Sequence, residues 1–114
     1  MCFPVTIQET AMITFSVKDG VELTKINGEI ARTIPEIMDV LENFGSHDFC
    51  ITSGREGKHM KGSLHYKGDA IDIRIWGIVK EDLPNCVDTL QAVLGTDFDV
   101  VLESDHIHLE YDPS

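Results

Sequence analysis

Two stretches of the chain alternate with period two and set ionisable side chains against aliphatic ones. In Ala70-Ile71-Asp72-Ile73-Arg74-Ile75-Trp76, the residues Ala70, Asp72, Arg74 and Trp76 fall on one face of a strand and the three isoleucines on the other. Between Val100 and Tyr111 the pattern returns, with His106, His108 and Glu110 on a side opposite Ile107, Leu109 and Tyr111. Each strand must bury its aliphatic face, which turns Asp72 and the two histidines away from the core. If the strands pair, His108 meets Asp72 across them.

The remaining patterns supply the partners for that buried face. Thr33-Ile34-Pro35-Glu36 has the form of a capping box with proline in the first turn. The helix it starts is expected to run to about Phe44 and to stop at Gly45, with Ile34, Ile37, Met38, Leu41 and Phe44 as one apolar stripe. A second helix is expected from about Glu81 to Leu94, striped by Leu83, Val87, Leu90 and Leu94 and ended by Gly95. Residues 48–53 read as a strand that leads into a loop over 54–62. Residues 11–16 and 21–26 read as short extended pieces joined by a turn at Asp19-Gly20. The fold expected is α+β, a small single domain over residues 1–114, with an antiparallel sheet and two main helices backing a site.

A chain of 114 residues has room for about one domain with its own core. A hydrophobic fraction of 42% and a charged fraction of 25% are ordinary for a globular protein. The formal charge of −11, from 20 acidic and 9 basic residues, excludes the basic footprint that nucleic-acid backbones require. Arg55, Lys58, Lys61 and Lys67 make the region before His65 locally electropositive, which fits a solvated loop or the rim of a site for an anionic substrate. Cys2, Cys50 and Cys86 are too few and too scattered for a disulfide framework, so buried free thiols are expected at positions 50 and 86. No run approaches the ~20 apolar residues of a membrane span, and the start of the chain lacks the pattern of a secretory signal. The expectation is a monomer with no nucleic-acid or membrane partner, cytoplasmic as synthesised.

Zinc takes imidazole nitrogen and carboxylate oxygen, and a catalytic site uses about three protein ligands and leaves a position for water. His65, Asp72 and His108 can supply that set. Gly68 lies between the first two and tolerates the backbone conformations needed to reverse the chain there.

Taken together, Ser63-x-His65-x-x-Gly68-x-Ala70-x-Asp72 and the later Asp105-x-x-His108 resemble the zinc peptidases of the hedgehog and D-alanyl-D-alanine peptidase superfamily. That family includes D-Ala-D-Ala carboxypeptidases, D-Ala-D-Ala dipeptidases and the L-alanyl-D-glutamate endopeptidases of phage endolysins. The resemblance covers roughly residues 20–111; each half of the motif alone is weak, and the two together are specific. It implies a hedgehog/DD-peptidase-like fold and zinc held by His65, Asp72 and His108. It also implies Asp105 as general base toward the metal-activated water, with His106 supporting the developing charge or the substrate. The implied substrate is the peptide of peptidoglycan, and the implied setting is release to the cell wall as a phage or prophage product, or a cytoplasmic recycling dipeptidase.

Members of that family often carry an arginine after a strand-ending Ser-Gly, where it polarises the scissile carbonyl or binds a substrate carboxylate. Here the order is Ser53-Gly54-Arg55, without the aromatic residue that many members place between glycine and arginine. Ser63 and His59 are the expected substrate contacts at the rim, and Glu103 is an alternative base on the assumption that it shares a strand face with Asp105. The competing expectation is a non-catalytic, zinc-stabilised binding or virion-associated module of the same fold.

Overall fold

The computed structural model describes residues 13–55 and 68–113. The expectations that fall on Cys2, residues 11–12, His59, Ser63 and His65 lie outside the described residues. In chain order the elements are β1 (Thr14–Val17), α1 (Gly28–Ala31), α2 (Ile34–Asn43), β2 (Asp48–Ser53), β3 (Ala70–Arg74), α3 (Leu83–Leu94), β4 (Phe98–Leu102) and β5 (His106–Tyr111). The strands form one five-stranded sheet in the order β1-β2-β3-β5-β4.

The α+β class holds, but the sheet is mixed rather than antiparallel. Strands β2, β3, β5 and β4 pair antiparallel, whereas β1 runs parallel to β2. A parallel pair needs a long crossover, and the segment from Lys18 to His47, which carries both α1 and α2, provides it.

One face of the sheet meets the helices. Ile71, Ile73, Ile107 and Leu109 are fully buried there against Ile37 and Leu41 of α2 and Cys86 and Leu90 of α3. The stripe of α3 therefore runs through Leu83, Cys86 and Leu90, with Val87 and Leu94 at its margins. Cys50 and Cys86 are free and buried, and burial pushes the Cys86 thiol up to about 11. At the β4 edge Gln91 closes the layer: its amide donates to the carbonyl of Phe98 at 2.6 Å and its oxygen accepts from the Val100 N–H at 3.1 Å. That side chain satisfies backbone groups that an edge strand leaves unpaired.

Several local expectations give way to tertiary contacts. The capping box at Thr33 does not form, because the Thr33 hydroxyl is buried and donates to the Ile30 carbonyl of the preceding turn at 2.7 Å. Residues 21–26 form no strand. They lead into α1, whose N-cap Asn27 accepts from the Glu29 N–H at 2.7 Å and donates to Asp69 at 2.9 Å. The second main helix begins as a 3-10 turn at Lys80–Asp82 and becomes α-helical at Leu83. The two strands expected after the last helix form a hairpin, closed where the Glu103 N–H donates to the His106 carbonyl at 2.9 Å.

Three glycines bring main chain close to main chain. Gly45 and Gly77 have φ of 109° and 91° and lie back to back, so that a Cβ on either would meet the other's carbonyl oxygen at 2.9 or 3.0 Å. Gly68 has φ of 81° at the entry to β3, a backbone conformation that glycine tolerates, and a Cβ would approach the Lys25 carbonyl to 2.5 Å. Gly68→Ala is therefore expected to cost ~1–3 kcal/mol of stability, from a strained left-handed residue and the lost close approach. Urea unfolding checks this as a lower midpoint at unchanged slope; an unaltered midpoint would show that the segment can move away.

Candidate functional site

The open face of the β3–β5 pair carries the ionisable residues. Asp72 stands opposite His108 and Arg74 opposite His106 in the antiparallel register. The pleat sends Ile71, Ile73, Ile107 and Leu109 into the core, which leaves Asp72, His106, His108 and Glu110 together on the other side.

These side chains form a continuous line of contacts. Asp105 Oδ1 lies 2.7 Å from His106 Nδ1, and His106 Nε2 lies 3.5 Å from Asp72 Oδ2. Asp72 Oδ1 lies 2.9 Å from His108 Nδ1, and His108 Nε2 lies 2.8 Å from Glu110 Oε1. The shorter of the two His106 contacts is that of Nδ1 with Asp105. His108 is held between two carboxylates. The hydrogen bond to Asp72 pushes its pKa up to about 9, with Glu110 adding to the shift against the opposing effect of burial.

Coverage differs sharply between the two aspartates: the Asp72 side chain is 16% exposed and that of Asp105 is 84% exposed. Asp105 sits with Ser104 in the tight connection between β4 and β5. Glu103 lies in the same turn, exposed, and not on a strand face shared with Asp105 as expected. Hairpin geometry thus directs Asp105 toward His106, while the backbone of Glu103 closes the turn.

The structure brings Asp72, Asp105, His106 and His108 together. Arg55 follows the end of β2, where Ser53 pairs with Asp72. Its backbone N–H donates to the Glu22 carbonyl at 2.8 Å and its guanidinium to the Thr24 carbonyl at 3.0 Å, which holds the side chain toward the 22–24 segment.

Asp72 and His108 offer one oxygen and one nitrogen of the kinds that a divalent metal accepts. Tetrahedral zinc bonds of about 2.0–2.1 Å hold neighbouring donors roughly 3.3 Å apart, close to the 2.9 Å between Asp72 Oδ1 and His108 Nδ1. Two such atoms at that distance need a proton or a cation between them. With His108 Nε2–H donating to Glu110, Nδ1 is left to serve as ligand, the arrangement in which an outer carboxylate orients a metal-binding histidine. A separate group of acidic atoms, on Asp99, Glu110 and Asp112, lies within 4.8 Å, but its carboxylates are largely exposed and Glu110 already serves His108.

Sequence reasoning assigned no role to four residues of this face. Glu110 holds His108. Lys18, Arg74 and Trp76 line a cleft of about 390 Å³ together with Thr52, Ser53, Asp72, Asp105 and His106. The signal for Arg74, Trp76 and Glu110 lay in the alternation itself, whereas Lys18 is brought in by the parallel pairing of β1, which the sequence does not announce. No family model, curated protein or solved structure matches the chain.

Because the folded pKa of His108 lies above the unfolded value of about 6.5, the charged ring stabilises the metal-free protein fully below that pH. The contribution is lost as pH rises through about 9. NMR titration of the metal-free protein should show the His108 ring titrating near pH 9, and Asp72→Asn should move it back toward neutrality. Thermal stability should fall over the same window in the parent and much less in His108→Gln.

Proposed function

We propose that the chain is a zinc-dependent peptidase acting on the peptides of bacterial cell walls, with His65, Asp72 and His108 as metal ligands and Asp105 as general base. The observation that carries this reading is the in-register meeting of Asp72 and His108, with the second nitrogen of His108 already committed to Glu110. His65 lies outside the described residues and enters through the motif. The cell-wall substrate, and with it the phage or prophage setting, comes from the family resemblance.

Zinc, when bound, supplies a Lewis acid that polarises a carbonyl and brings the pKa of water toward ~7. The chain's own residues divide the remaining work. Asp105 receives a proton from the attacking water and delivers it to the departing amine. His106 occupies Asp105 Oδ1, which leaves Oδ2 as the base atom. The same imidazole lies between Asp105 and Asp72, separating two carboxylates that would otherwise repel. Glu110 keeps the His108 ring turned toward Asp72.

The test is incubation of the zinc-loaded protein with purified peptidoglycan beside its Asp105→Ala variant, with new peptide termini read by mass spectrometry. Cleavage by the parent is expected, with a loss of ~10²–10⁴-fold in the variant at unchanged zinc content, the scale of a missing general base. No new termini from folded, zinc-bound protein across several wall chemistries would instead support the non-catalytic zinc-stabilised module. His65→Ala should lose zinc; stoichiometric binding at parental affinity would remove the proposed ligand set. Glu110→Ala should weaken zinc binding ~10–100-fold by competitive chelation while the fold is kept.

A further inference from the structure

Beside the metal-site residues, the cleft changes character. Two carboxylates, Asp72 and Asp105, and two cations, Lys18 and Arg74, line it together, in a protein with a formal charge of −11. Arg74 is only 19% exposed, and its guanidinium carbon lies 3.7 Å from the centre of the Trp76 ring. Its ion pair with Asp48 is long, at 3.7 Å, and among the described residues the guanidinium makes no hydrogen bond. Asp48 also accepts from the hydroxyls of Thr14 and Ser16, at 3.2 and 3.4 Å. A guanidinium stacked on an aromatic ring keeps its N–H edge directed outward in the geometry that matches a carboxylate.

We infer that Arg74, Lys18 and Trp76 form a subsite for a carboxylate carried by the peptide substrate, an assignment that rests on the peptidase reading above. Such a carboxylate is drawn to Arg74 and Lys18 and repelled by Asp72 and Asp105. Trp76, 64% exposed, offers its free ring surface to the aliphatic part of the same residue. The volume of about 390 Å³ lies at the small end of the ~300–1,000 Å³ typical of ligand pockets, as suits a short peptide terminus or acidic side chain. Arg55, directed to the 22–24 segment, is not needed for this contact.

The chain contains a single tryptophan, so its emission reports directly on this cleft. The experiment titrates zinc-loaded protein with N-acetyl-D-alanine and with its neutral amide, following Trp76 fluorescence. Saturable binding of the acid is expected, tighter than the amide by about tenfold or more, the scale of a charge-assisted hydrogen-bonded pair. Arg74→Gln should abolish the preference at unchanged zinc content and melting temperature. Lys18→Ala, at an exposed position where folding is not at issue, should reduce it. Equal binding of acid and amide, no saturable response to either, or an intact preference in both variants would overturn the subsite. Peptidoglycan cleavage measured on the same preparations separates the two readings. Cleavage without carboxylate preference removes the subsite alone, and preference without cleavage removes the peptidase reading alone.

Discussion

The register of β3 against β5 is the constraint on which the rest of the structure depends. Because side chains alternate across a sheet, one offset decides both faces at once. With Ile73 opposite Ile107 and Ile71 opposite Leu109, the core closes; the same offset puts Asp72 opposite His108. A slip of β3 by one residue would bury Asp72 and Arg74 and expose Ile71 and Ile73, and a slip of β5 would bury both imidazoles and expose Ile107 and Leu109. Fold stability and site geometry are therefore enforced by the same pairing.

The polar face has an order of its own. Carboxylates and imidazoles alternate from Asp105 through His106, Asp72 and His108 to Glu110, so that no two carboxylates are direct neighbours in the line. Such alternation lets a strongly acidic chain gather three carboxylates in one place. It also ranks them by exposure: Asp72 is sheltered within the sheet, while Asp105 projects from a turn into solvent.

Much of this was legible in the sequence because it follows from short-range periodicity. The strand over residues 48–53, the helix ending just before Gly45 and the two alternating faces all have local causes. What escaped depended on partners distant in the chain. Thr33 looks like a helix cap, yet the Ile30 carbonyl claims its hydroxyl. The 21–26 segment reads as extended, but it is the approach to Asn27, which is tied to Asp69 across more than forty residues. Parallel placement of β1 cannot be read from its four residues, and with it went the position of Lys18 in the cleft. Asp72 and His108 were found because their meeting required only that two patterned strands pair. Glu110 was visible on the correct face but had no role until the second nitrogen of His108 was seen to need a partner.

The back-to-back contact of Gly45 and Gly77 reaches further than the turn it shapes. Gly77 follows Trp76 directly, so the main chain of the cleft's aromatic wall is pinned to the end of α2 by backbone packed on backbone. A main chain anchored in this way has little freedom left to lose, whatever comes to lie against it. The helix layer in this way restricts the main chain that borders the cleft on the other side of the sheet.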